Sequence, residues 1–211
     1  MTSEEMVARS TLRSSYVHGF KTRARRVADQ LRADTGHNDR EPLDTSRVLS
    51  HLQLRRWRLS AFADQTAELW VAAAQLYVVD SSAFSGALIG EGDNRAILVN
   101  DAHTEVRQRA TEAHEAGHAI LGHSNTPFLS GSMVRLRDAQ IEAEADFLGM
   151  CLLVPEAYTL AVARRHSHAD ASGRRSAVQS AALEMNVSTE MMQWAFNSSG
   201  AWQRSKRRRL A

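Results

Sequence analysis

At 211 residues the chain can form one substantial core, or a core with a small appendage. Its 43% hydrophobic and 24% charged content excludes general disorder, and a single cysteine excludes an internal disulfide framework. The net charge is only +2, and the basic clusters at Lys21–Arg26, Arg55–Arg58 and Lys206–Arg209 are short and poor in aromatics, so they read as solvated surface rather than a nucleic-acid platform.

The opening residues, MTSEEMVARS, are acidic where a signal peptide needs a basic flank and an apolar stretch. Val17, Phe20, Ala24, Val27 and Leu31 then keep helical spacing with basic residues between them. Residues 35–43 read as a loop, after which Asp44, Thr45 and Ser46 offer caps for a short helix through Leu52. Residues 53–80 are ambiguous: WRLSAF suits a strand, and ELWVAAAQLYVVD suits a helix, a strand, or one running into the other. The apolar run at 69–79 falls well short of the ~20 residues a bilayer requires. The expectation is a soluble, cytoplasmic chain that does not engage a membrane.

SGALIG and RAILVN are short β-type runs separated by EGDN, which predicts a hairpin over residues 85–100. From Glu105 to His123 the pattern is helical, with Gly122 as terminator. A Ser/Gly/Pro-rich loop follows to Ser132, then a second helix from Arg137 to Val154, stopped by Pro155. Cys151 lies in its apolar run FLGMCLLV and reads as a buried structural thiol. Next come a helix at 156–166, a polar loop HSHADASGRR, two short helices at 176–185 and 188–197, and a frayed tail from Trp202. The organisation expected is an N-terminal helical segment at 1–43, a core at 44–170 and a C-terminal helical segment with its basic tail at 171–211.

The central motif is His114-Glu115-Ala116-Gly117-His118, an HExxH. On a helix, residues i and i+4 lie about 40° apart around the axis and roughly 6 Å apart along it. Two imidazoles so placed can converge on one tetrahedral zinc ion, with Glu115 beside them to take a proton from a water activated by the metal. A third ligand is then needed. A metzincin would place Gly at 121 and His at 124, where this chain has Leu121 and Ser124, so that reading fails. The second helix offers Glu142, Glu144 and Asp146. In a gluzincin the glutamate binds zinc, and the acid one turn later receives the second ring N–H of a ligand histidine. Glu142 is preferred because Asp146 stands one turn beyond it, with Ala145 and Gly149 on the same face to let two helices approach. Glu144 and His123 are the competing ligands. Tyr158, just past this helix, is a candidate hydrogen-bond donor to a tetrahedral oxyanion, with interface packing as its alternative role.

With both motifs in view, the chain resembles the ImmA/IrrE family of metallopeptidases between about Asp44 and Ser198. The resemblance is carried by SGALI, ILVN, RQRATEAHEAGHAILGH, EAEADFLGMCLLVP and the stretch around NVS. Ala110 stands where an aromatic usually precedes the threonine, and Leu148-Gly149 replaces the usual Phe-Ala. The resemblance implies zinc held by His114, His118 and Glu142, Glu115 as catalytic base, and a regulatory endopeptidase that cleaves a helix-turn-helix repressor protein.

The fold expected is α+β: a zincin-like core in which a small twisted sheet, antiparallel or mixed, packs on the HExxH helix and the second zinc-ligand helix, with C-terminal helices added. Within it Arg95–Asn100 is expected to be an edge strand beside the metal, open to an extended peptide. The segment AALEMNVSTEMMQWAF has a helix-turn-helix rhythm with Ser188 as N-cap. Its outward positions, Thr189, Glu190, Gln193 and Asn197, lack an arginine, so specific DNA binding is not expected. Two alternatives remain at this point. One is a zinc-binding regulator that holds a repressor without cutting it. The other is a DNA-binding transcriptional regulator with structural zinc, a site that would normally need four protein ligands.

Overall fold

The computed structural model describes residues 16–63, 84–90, 92–123 and 139–207. Among the described residues two helices come first, α1 (Phe20–Asp34) and α2 (Thr45–His51). A small sheet is built from β1 (Arg55–Arg58), β2 (Gly86–Ile89) and β3 (Ala96–Val99), with a short helix α3 (Leu59–Ala63) after β1. The long helices α4 (Glu105–Leu121) and α5 (Ala139–Leu153) follow. The chain then continues through α6 (Glu156–Arg165), α7 (Ala171–Glu184), α8 (Thr189–Ser199) and α9 (Ala201–Arg207). The architecture is α+β and mostly helical.

The strand order is β1-β3-β2, with β1 parallel and β2 antiparallel to β3. The expectation of an edge strand at Arg95–Asn100 is therefore wrong, because β3 lies in the middle. The reason is visible in its composition. All four residues of β3, AILV, are buried, and a strand apolar on both faces belongs between two others. The arginine-rich β1 is exposed along its length except at the half-buried Trp57, and charge of this kind protects an outer strand from pairing with other chains. On one face of the sheet, Leu88, Ile97 and Val99 pack with Leu49 of α2, Leu54 just before β1 and Ala116 of α4. On the other face Leu98 meets Leu59.

The larger core is helical. It gathers Phe20, Ala24, Ala28 and Leu31 of α1 around Phe147, Leu148, Leu152 and Leu153 of α5, then joins α6, α7 and α8 through Val162, Ala181 and Phe196. Each large apolar side chain so buried contributes about 1.5–3 kcal/mol. Val17, expected on this apolar face, is exposed, and α1 begins only at Phe20. Arg32 instead is 1% exposed, and its guanidinium donates to the carbonyls of Leu152, Asn38 and Glu41 at 2.8, 2.6 and 2.7 Å. The first of these sits at the negative end of α5, where a cation is favourable.

The C-terminal half is more helical than expected. Asp170 caps α7 by accepting from Gly173 N–H at 2.7 Å, so the helix starts within the stretch read as a polar loop. Trp202 stacks on Phe196 with ring centroids 5.0 Å apart, and α9 forms where a frayed tail was expected. Ser188 caps α8 as expected, accepting from Met191 N–H at 3.1 Å. No described helix is long and apolar enough to cross a bilayer by itself; α5 and α6 pass only as a pair bent by 58°, and most of their apolar residues, though not Ile141, lie in the core. The expected loop at 124–132, the start of the second helix at 137–138 and the ambiguous 64–80 fall outside the described residues.

Candidate metal centre

Helix α4 is fixed before it reaches the motif. Thr104 caps it, accepting from Arg107 N–H. One turn into its middle, the buried Glu112 carboxylate accepts from the Thr45 hydroxyl of α2 and from the Arg56 guanidinium of β1. Two charge-assisted bonds in a buried position hold the helix at a point two residues before His114.

The crossing of α4 over α5 depends on two glycines. A Cβ at Gly117 would stand 2.9 Å from the carbonyl oxygen of Ala145, and one at Gly149 would stand 3.0 Å from the carbonyl of Ala113 and the amide of His114. Carbon atoms pack at about 3.5–4.0 Å, so the two backbones meet closer than any side chain allows. This contact places Glu142, near the start of α5, opposite the two histidines of α4.

The three ligand atoms lie within 4.8 Å of one another. His114 Nε2 is 3.1 Å from His118 Nε2 and 3.5 Å from Glu142 Oε2, and His118 Nε2 is 3.7 Å from Glu142 Oε1. Ligands at about 2.0–2.1 Å from a tetrahedral zinc ion stand roughly 3.4 Å apart. The nearest-atom separations, which reach one Glu142 oxygen from each histidine, bracket that value, and two imidazole nitrogens with a carboxylate form a donor set that suits zinc. The residues present therefore fit such an ion. Asp146 Oδ1 lies 2.8 Å from His114 Nδ1, turning the coordinating nitrogen toward Glu142. Burial opposes charge on His114, but hydrogen bonds to the Asp146 and Glu142 carboxylates outweigh it and raise the imidazole to about 10. A divalent cation entering the cluster takes the place of that proton, since only a neutral imidazole binds metal.

Glu115 is 3% exposed, and one carboxylate oxygen accepts the backbone N–H of Leu88 in β2 at 2.8 Å. That approach depends on Gly86, because a Cβ there would run into the Thr111 side chain and stand 2.7 Å from the Leu98 carbonyl oxygen. Glycine at 86 thus lets α4 lie directly on β2. Neither the Leu88 contact nor the role of Gly86 follows from the motif, since pattern reading treats SGALIG as a strand and its glycine as a boundary.

Of the other candidates, Glu144 is held away from the three ligand atoms. It accepts from Gln140 Nε2 at 3.0 Å and faces His123 at 4.0 Å. His123 in turn lies with its Nδ1 2.9 Å from the Nδ1 of His118. Tyr158 is buried in the helical core, and its hydroxyl donates to the Glu184 carboxylate at 2.6 Å. The structure thus gives it an interhelical partner, Glu184 of α7.

The family model for the IrrE N-terminal-like domain, a peptidase family, matches residues 71–196, a span that includes β2, β3 and the helices from α4 to most of α8. No curated protein matches the chain.

Proposed function

The chain belongs to the IrrE N-terminal-like peptidase family, and from that premise we propose that it is a zinc-dependent regulatory endopeptidase with a zincin-like core, whose substrate is a helix-turn-helix repressor protein. The observation that carries this reading is the convergence of His114, His118 and Glu142 within 4.8 Å, with the Glu115 carboxylate buried next in sequence. Zinc held by these three residues supplies a Lewis acid that polarises a carbonyl and brings the pKa of a water near neutrality.

The protein's own groups do the rest. Asp146 orients His114, and that restraint keeps the ligand nitrogen aimed without a rotamer search at each turnover. Leu88 N–H fixes the plane of the Glu115 carboxylate. In that position Glu115 accepts a proton from the attacking water and delivers it to the leaving amine nitrogen, one group serving as base and then as acid. An extended substrate running along β2 would pass Glu115, because that strand carries the N–H that meets the carboxylate.

The test uses purified zinc-loaded protein and, as substrate, the repressor encoded nearest to it. The parent should cut the repressor. Glu115→Gln, which keeps the side chain's shape but not its basicity, should retain zinc and lose about 10²–10⁴ of the rate. Equal cleavage by parent and variant would remove Glu115 from the mechanism. A stable complex with the repressor and no cleavage by the parent would favour the non-proteolytic regulator.

A further inference from the structure

We infer that His123 is a positioning residue for the ligand His118, the middle member of a His118–His123–Glu144 chain that serves the second imidazole as Asp146 serves the first. This inference rests on the metal-site reading above.

Residue 123 lies just past the end of α4. Gly122 adopts the left-handed conformation, φ 69°, and closes the helix. The closing bond runs from His123 N–H to the His118 carbonyl at 3.0 Å. This six-to-one bond is the mark of a Schellman turn, which returns the chain onto the last turn of its own helix. Residue 123 is thereby placed on the flank of residue 118. The two rings meet edge to face with centroids 5.1 Å apart, and their Nδ1 atoms approach to 2.9 Å.

Two nitrogens at that distance need one proton between them. His118 presents Nε2 to the ligand cluster, so as a neutral metal ligand it carries its proton on Nδ1 and donates it. His123 must then accept at Nδ1 and hold its own proton on Nε2. That Nε2 faces Glu144 Oε2 at 4.0 Å, and Gln140 holds the other oxygen of Glu144 at 3.0 Å. The polarity is consistent along the chain: the Glu144 carboxylate, at 4.0 Å too far for a hydrogen bond, favours the proton on His123 Nε2 by its charge, and His123 Nδ1 accepts from the Nδ1–H of His118. His123 and Glu144 are half-buried, so water does not simply replace the arrangement. Each ligand imidazole thus has its own partner, Asp146 for His114 and His123 for His118.

The test is zinc affinity, measured by competition with a chelator, for His123→Phe and His123→Asn. Phenylalanine keeps a ring and removes the acceptor, so affinity should fall by about 10- to 100-fold. Asparagine places its Oδ1 near the position of the lost Nδ1 and should recover most of that loss. The thermal midpoint of the metal-free variants, read alongside, separates loss of the acceptor from loss of fold. A parent-like affinity for His123→Phe, or an Asn variant as weak as the Phe variant, would overturn the inference. Should the Phe variant fold poorly, nitrogen NMR of the zinc-loaded parent decides the matter. His123 protonated on Nε2 with a hydrogen-bonded acceptor at Nδ1 is expected; a proton on Nδ1 of His123 would overturn it. A parent that binds no zinc would instead remove the metal-site reading from which this one starts.

Discussion

Substituting alanine for Gly117 sets two physical effects against each other, and the sign of the result decides between them. In the interior of an ordinary helix the change stabilises by about 1 kcal/mol, because glycine has the greater backbone freedom when unfolded. At Gly117 the new Cβ would stand 2.9 Å from the oxygen, 3.3 Å from the Cα and 3.4 Å from the carbonyl carbon of Ala145. All three obstacles are backbone of α5, which cannot swing aside as a flexible side chain does. Relief requires the helices to part by roughly 0.5 Å at their crossing, given ordinary contact distances. Overpacking of this kind costs about 1–3 kcal/mol, and a rigid obstacle places this case near the upper end. The net loss is then about 2 kcal/mol, or roughly 4–8 °C in thermal midpoint for a chain of this size. The same parting moves Glu142 relative to His114 and His118, and a site of this kind tolerates only about 0.5 Å. Gly117→Ala should therefore melt lower in the presence of EDTA, which removes any contribution from bound metal, and should also bind zinc more weakly in a chelator competition. A rise in the midpoint by the few degrees that propensity alone would give, with zinc affinity unchanged, would refute the close-contact reasoning.

Three further outcomes are expected. Glu142→Ala should lose most of its zinc by elemental analysis, whereas Glu144→Ala should keep one equivalent and bind it only modestly less tightly; the reverse result would exchange their roles. Arg32→Met keeps much of the apolar stem but strands the carbonyls of Leu152, Asn38 and Glu41, so chemical denaturation should show a loss of about 3–5 kcal/mol at roughly 1–3 kcal/mol per stranded group, less what relaxation recovers; a loss under about 1 kcal/mol would show that the site rehydrates. Cys151 is 4% exposed and burial pushes its thiol up to about 12, so a thiol reagent at neutral pH should label it only after denaturant is added, and rapid labelling of the native protein would contradict its place in the core.

What the sequence made legible about the site was whatever is local to one helix. His114 and His118 share a face because they are four residues apart, and Glu142 and Asp146 do so for the same reason. The hydrogen bond between Asp146 and His114 crosses two helices, yet it too could be anticipated, because the small residues Ala145 and Gly149 lie on the same face and announce a close neighbour. The partner of His118 was harder to see. His123 is five residues on, a spacing that puts side chains on different faces of a continuous helix, and only the left-handed closure at Gly122 brings the two rings together. Gly122 was readable as a terminator; the consequence for the residue after it requires following the turn's hydrogen bond.

The remaining discrepancies share a cause in long-range order. Strand pairing depends on topology, and RRWR has no period-two alternation to reveal that β1 would pair in parallel with a strand about forty residues later. The run AILV did carry the needed clue, since four consecutive buried apolar residues fit a central strand better than an edge. Arg32 shows the opposite failure. Amphipathic analysis assigns every arginine to solvent, whereas here three carbonyls, one of them at the C-terminal end of α5, make a buried guanidinium tolerable. The glycines connect these cases. Gly86 seats α4 on β2, Gly117 and Gly149 seat α4 on α5, and Gly122 folds His123 back, so residues without side chains set the relative positions of those in the candidate metal site. A motif names the donor atoms of such a site, but the distances of 3.1 to 3.7 Å between them are determined by how closely two backbones can meet, and that is encoded at positions the motif leaves unspecified.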